Sequence, residues 1–161
     1  MSGRNTSSGP SDQDFIVGCD HAGFELKEQI KQFLAGTGNR VRDLVEQFRP
    51  RIDFPPVAER VARAVLAEPG SYGILVCGTG IGMSMAANKV PGIRAALIYS
   101  EAVAEYSRRH NNANVLVFGG RTMDFEQVRR FIEIFFAHNP EGGKYAERND
   151  YLKEIESRGC A

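Results

Sequence analysis

The alternation of short apolar runs with longer amphipathic stretches constrains this chain more than any other feature. The apolar runs are Phe15 to Cys19, Arg40 to Leu44, Tyr72 to Cys77, Arg94 to Tyr99 and Asn114 to Phe118. Between and after them, Gly23 to Leu34, Pro55 to Ala67, Gly82 to Lys89, Glu101 to His110 and Asp124 to Ala137 repeat apolar residues at helical spacing, and Tyr145 to Arg158 adds a last helix. A strand that is apolar on both faces must be covered on both, and helices following each strand do this by lying on a parallel sheet. The pattern predicts an α/β fold: a three-layer Rossmann-like sandwich with a five-stranded parallel sheet, right-handed crossovers and a C-terminal helix. Its functional edge lies at the carboxyl ends of the strands.

Punctuation agrees with these boundaries. Pro55 and Pro56 suit a first helical turn, Ser100 can cap the helix after it, and Gly70 and Gly92 close the segments before them. The second strand is the least regular, since it carries charges and runs into a non-periodic stretch from Glu46 to Ile52. Residues 14–161 are long enough for one domain with its own core. Met1 to Gln13, rich in Ser, Gly and Asn without apolar periodicity, are expected to form a disordered tail.

Lys and Arg total 20 and Asp and Glu total 20, so no overall field draws the chain to nucleic acid or to an anionic membrane. Any anion it binds must be held by a local cluster. The cysteines are odd in number, and no secretory or membrane-spanning apolar segment is recognisable, which points to a cytoplasmic protein with free thiols.

Several residues fall on the predicted functional edge. Gly18-Cys19-Asp20-His21-Ala22-Gly23 follows the first strand, and Asp20 and His21 there fit either a helix cap and its cover or a binding role. The third strand ends in Cys77-Gly78-Thr79-Gly80-Ile81-Gly82, whose glycines let backbone amides turn toward an anion or oxyanion. The dinucleotide fingerprint is excluded because Met83 stands where its third glycine would be, and no Lys-Ser/Thr follows to make a P-loop, so neither NAD nor ATP is implied. Cys77 directly precedes this cradle, where oriented amides favour a thiolate; a buried apolar cysteine finishing a strand is the equal alternative. Cys19 beside Asp20 reads as packing, and Cys160 lies in the tail. Arg108 and Arg109 suit a helix C-terminus, His110 can cap that helix or shuttle a proton, and Asn111 offers a donor and an acceptor to hydroxyls. Arg121 follows the fifth strand. Lys144 and Arg148, four apart, share one helical face and can grip a phosphate or simply be solvated.

Taken together, Gly18 to Gly23, Asp53-Phe54-Pro55, Cys77 to Gly82, Ala86-Ala87-Asn88-Lys89, Arg109 to Asn112, Gly119-Gly120-Arg121 and Glu141 to Gly143 resemble the ribose-5-phosphate isomerase B and galactose-6-phosphate isomerase family over about Phe15 to Ile155. The resemblance implies an aldose-ketose isomerase of phosphorylated sugars without metal or cofactor, converting ribose 5-phosphate to ribulose 5-phosphate through a cis-enediolate. It also implies a homodimer or higher homo-oligomer whose active sites are shared between chains. In that family's terms Cys77 is the base of a cysteine-type member, since Met83 occupies the place where another subgroup keeps a glutamate. His110 opens the sugar ring, Thr79 relays protons, and Asp20 and Asn111 contact hydroxyls. Gly78, Gly80, Ile81 and Gly82 cradle the enediolate, while His21, Arg121 and Arg148 surround the phosphate.

Three departures bear on the substrate. Lys144 stands where the family has arginine, which keeps the charge and loses the bidentate fork. Phe54 stands where it has tyrosine, removing a hydroxyl near the sugar. Asp43-Leu44-Val45 replaces an Asp-x-Gly turn. These leave two rivals: an isomerase of a hexose 6-phosphate or a tetrose phosphate, and a sugar-phosphate-binding protein without catalysis.

Overall fold

The computed structural model describes residues 9–159. Five strands, β1 (Asp14–Cys19), β2 (Arg40–Asp43), β3 (Tyr72–Cys77), β4 (Ala95–Leu97) and β5 (Val115–Gly119), form one sheet in the order β2-β1-β3-β5-β4, and every pairing is parallel. The helices α1 (Phe24–Gly36), α2 (Phe54–Ala67), α3 (Ile81–Ala87), α4 (Glu101–Arg109), α5 (Phe125–Phe136) and α6 (Lys144–Gly159) alternate with them or follow them. The expected α/β sandwich is present, with β4 shorter than its apolar run.

Side chains on a strand alternate between faces, and the two cores follow that period of two. Phe15, Val17, Cys19, Ile74, Val76, Leu116 and Phe118 pack toward α1 and α5. Ile16, Leu75, Cys77, Val115 and Val117 point the other way, toward α2 and α3. Cys19 and Cys77 therefore end neighbouring strands on opposite faces of the sheet.

Local chemistry sets the element boundaries. Pro55 and Pro56 fill the first turn of α2, where a missing N–H costs no intrahelical bond. Ser100 Oγ accepts the Val103 N–H at 3.2 Å, capping α4. Asp124 and Gln127 form a reciprocal capping box at the start of α5. Of the tail expected over 1–13, residues 1–8 lie outside the described residues, as does Cys160. The remainder corrects the expectation: Pro10 is buried and its carbonyl accepts the Asn39 Nδ2–H at 2.8 Å, while the Gln13 N–H bonds Asn39 Oδ1 at 3.0 Å. A buried asparagine satisfied by this segment outweighs the segment's unpromising composition.

In a sheet of this order the chain leaves β1 toward one side to build β2 and toward the other to build β3. The β1/β3 junction is thus the switch point, where the diverging loops open a crevice.

Candidate active site

Two groups of the predicted residues come together, in different places. The first occupies the switch point. Cys77 ends β3 with 5% of its surface exposed, and its Sγ accepts the Gly80 N–H at 3.2 Å. Gly80 has φ 83°, a left-handed conformation that a side chain would strain, and that turn aims the amide back at the sulfur. Thr79 is exposed, and its Oγ1 lies 3.4 Å from the Ile81 N–H.

Backbone bonds stitch the neighbouring loops to this turn. Asp20 N donates to Val76 O at 3.1 Å, Gly120 N to Cys77 O at 2.7 Å and Arg121 N to Gly78 O at 2.9 Å. Gly23 lies so close to the Val76 carbonyl that a Cβ there would overlap it. The Arg121 side chain passes over the glycine turn: a methyl added at Gly78 would meet its Nη1 at 3.4 Å. Asp20 is buried and its Oδ1 accepts the Ala22 and Gly23 N–H groups at 2.9 and 3.0 Å, so the carboxylate shapes the first loop in the manner of a cap. His21 is exposed, with Nδ1 3.4 Å from Ile52 O. The Phe54 ring lies against Gly82, where a Cβ would meet it at 2.9 Å, so the residue at the tyrosine position borders the cradle without a hydroxyl. Met83 is completely buried among the residues facing α2 and α3.

The second group lies at the junction of α4 and α6. His110 caps the C-terminus of α4, its N–H bonding Tyr106 O at 2.9 Å. Its imidazole stacks between Tyr106 and Tyr145, at centroid distances of 4.7 and 3.9 Å. Lys144 Nζ and Arg148 Cζ lie over the Tyr145 ring at 5.0 and 5.7 Å. Among the described residues, no hydrogen bond or ring contact joins this group to the Cys77 turn. Asn111 is separate again: its carbonyl accepts from Arg94, and the residue borders a cleft of about 490 Å³ with Ala95, Leu152 and Ile155. Arg109 is committed to Glu105 and Glu141, which ties α4 to the segment before α6.

The irregular second strand hides a buried charge cluster. Lys27, fully buried, donates to Asp43 Oδ2 at 2.6 Å and Val45 O at 2.7 Å, and Lys31 reaches the same carboxylate oxygen at 2.9 Å. Burial pushes the Asp43 carboxyl up, but the hydrogen bonds from Lys27 and Lys31 outweigh it and hold the group below the usual carboxylate range. Next to this cluster, burial pushes the Cys19 thiol up to about 12, with Asp43, Asp20 and Glu28 adding to it against the pull of Lys27. Cys19 is therefore a packing residue with an unreactive thiol. A cleft of about 680 Å³, lined in part by Asp43, Arg49, Arg60, Ile52 and Asp53, opens where the 44–53 segment meets α2.

Sequence reasoning missed the two tyrosines that flank His110, and also Lys27. Tyr106 is four residues before His110 on one helix, a spacing that predicts contact; Tyr145 gives no comparable signal. No helix among the described residues is long and apolar enough to cross a membrane.

The parallel α/β sheet holds a cysteine at its switch point beside a glycine turn crossed by the Arg121 side chain, and comparison with known proteins places this arrangement in the class of sugar isomerases. The family described as Ribose/Galactose Isomerase matches residues 15–152. Ribose-5-phosphate isomerase B of Escherichia coli strain K12 is 40% identical over 141 residues, 88% of this chain and 95% of that protein. Among solved structures, ribose-5-phosphate isomerase B of Clostridium thermocellum superposes with a TM-score of 0.88 at 37% identity, covering 91% of this chain and 99% of that one. The type B ribose 5-phosphate isomerase of Trypanosoma brucei gives 0.84 at 37% identity, covering 89% and 99%. The chain belongs to the ribose/galactose isomerase family.

Proposed function

We propose that this enzyme interconverts ribose 5-phosphate and ribulose 5-phosphate, with Cys77 as the base. The observation that carries the reading is the Cys77 sulfur at the switch point, taking a hydrogen bond from Gly80 inside the turn that would hold the enediolate. No metal or cofactor takes part in the steps below.

The reaction begins with the furanose form of the aldose. His110 gives a proton to the ring oxygen as the bond from C1 to that oxygen breaks, and the anomeric hydroxyl loses its own proton to water, leaving the aldehyde. Cys77 as thiolate takes the proton from C2. Electrons move onto the carbonyl oxygen, where preorganised amides of the Gly78–Gly82 turn offset the developing charge, an effect worth about 3 kcal/mol per donor in comparable sites. Thr79 relays a proton between the two oxygens, and the Cys77 thiol returns its proton to C1. Asp20 and Asn111 orient hydroxyls, and His21, Arg121, Lys144 and Arg148 meet the phosphate.

His110, Lys144 and Arg148 form a group apart from Cys77, and this supports a site assembled from two copies of the chain, with the Cys77 turn from one and the His110 group from the other. Such an arrangement is isologous, so each dimer carries two equivalent sites.

The decisive assay is a mixing experiment. Cys77→Ala and His110→Ala should each lose activity by about 10²-fold or more, the range for removing a general acid or base. Mixed as dimers under exchange, they should recover about a quarter of wild-type activity, because a hybrid holds one intact site of two. Near-normal turnover by Cys77→Ala would end its assignment as base; no recovery on mixing would end the shared site. A second substrate reading, a hexose 6-phosphate or tetrose phosphate, draws on Phe54 packed beside the cradle without a hydroxyl. Turnover compared across four-, five- and six-carbon phosphosugars decides between them.

A further inference from the structure

Helix α6 buries none of its residues, so the core does not fix its position. Its first turn is docked instead by a short set of contacts around one ring. Tyr145 stacks on the His110 imidazole at 3.9 Å and 5°, the opposite face of that imidazole is covered by Tyr106 at 4.7 Å and 11°, and Asn149 Nδ2 donates to His110 O at 2.9 Å. An imidazole lying this close and this parallel occupies one face of the Tyr145 ring. The Lys144 and Arg148 cations, at 5.0 and 5.7 Å from the same ring, are left the other face.

We propose that Tyr145 is a positioning residue for the isomerase reaction, its ring holding the imidazole of His110 on one face and the phosphate-binding cations Lys144 and Arg148 on the other as one unit. This rests on the roles given to those three residues above. Without the flanking rings, a histidine at a helix C-terminus would sample several ring orientations, and only some direct a nitrogen at the sugar ring oxygen. Sandwiched between parallel phenyl planes, the imidazole keeps its plane, and the substrate's phosphate is gripped at a set distance from the proton donor. The ring surface alone provides this hold; the phenolic hydroxyl takes no part in it. Displacing a reacting group by about 1 Å costs on the order of 10²-fold in rate, so loss of the stack acts on turnover as well as on affinity.

The step sensitive to the stack is ring opening, in which O4 takes the His110 proton, the C1–O4 bond breaks and O1 sheds its proton to water. Ribulose 5-phosphate has no such ring to open, because its O5 carries the phosphate. Entry of solvent deuterium at C1 of this ketose therefore reports the Cys77 chemistry alone.

The experiment compares the full-length wild type with Tyr145→Phe, Tyr145→Ala and His110→Ala. Tyr145→Phe should keep kcat and KM for ribose 5-phosphate within about threefold, since the stacking face survives. Tyr145→Ala should raise KM and lower kcat about 10- to 100-fold, while saturated deuterium entry into ribulose 5-phosphate stays within about threefold of wild type. Unchanged kcat and KM in Tyr145→Ala, equal losses in both assays, or a Phe variant as impaired as the Ala variant would each overturn the proposal. If His110→Ala turns over ribose 5-phosphate normally, the underlying role of His110 fails. If His110→Ala is impaired and Tyr145→Ala is not, the role of His110 stands and only the positioning by Tyr145 falls.

Discussion

The Cys77 edge and the His110 patch are held in place by opposite means. Around Cys77, backbone packs on backbone: Gly23 against the Val76 carbonyl, Gly120 bonded to Cys77 O, Arg121 bonded to Gly78 O. Around His110, side chains pack on side chains at the surface, through stacked rings and the bridge from Arg109 to Glu141, with no buried residue in α6. In the proposed mechanism, the base that must meet a carbon atom is built into the sheet, where strand ends leave little freedom. The groups proposed to handle the rest of the substrate sit at the C-terminus of α4 and the start of α6, outside both cores.

That contrast can be broken by substitutions of graded severity. The largest effect is expected for Gly23→Ala, whose added Cβ overlaps the Val76 carbonyl; overpacking of this kind costs about 3 kcal/mol, and urea unfolding should show it together with reduced turnover. A clash relieved without loss of stability would mean that the Cys77 edge is softer than its packing implies. Removing one partner of the buried pair comes next. Lys27→Ala leaves Asp43 with Lys31 and the Val45 N–H and should cost about 2 to 3 kcal/mol, somewhat less than a buried pair with no other partner.

The same pair sets a pH dependence. The Asp43 carboxyl is held below its ordinary value in the folded chain, so its contribution to stability is full above the usual carboxylate range and is lost as pH falls through and below that range. Unfolding midpoints measured on acidification should decline less steeply in Asp43→Asn than in wild type. Equal slopes would show that the cluster does not carry the acid sensitivity. The smallest effect belongs to an exposed ion pair on α6: Lys153→Ala breaks the pair with Asp150 and should change stability by less than about 0.5 kcal/mol. A larger loss would show that α6 is tied to the core more firmly than its exposure suggests.

The sequence carried the sheet because β1, β3 and β5 are apolar on both faces, a pattern that few other folds satisfy. The β1 and β3 ends were equally legible as strand-to-helix turns, since the glycines after each strand mark where the chain turns. Lys27 was not legible: it occupies a core position on α1 between Leu26 and Ile30, and only the fold shows that Asp43 and Val45 O receive its charge. Pro10 was hidden for a related reason, because Asn39, its partner, is far along the chain. The sandwich around His110 was half visible, through Tyr106 at helical spacing. Its other half arrives from α6, and no local rule places that helix.

Because the cationic start of α6 lies outside both cores, amino-acid changes there carry almost no folding penalty. An ancestral chain could exchange Arg for Lys at position 144, or shorten the reach of position 148, without disturbing either core. If the proposed roles hold, drift along this helix offers a route from one phosphosugar to another while the sulfur of Cys77 stays where the sheet put it.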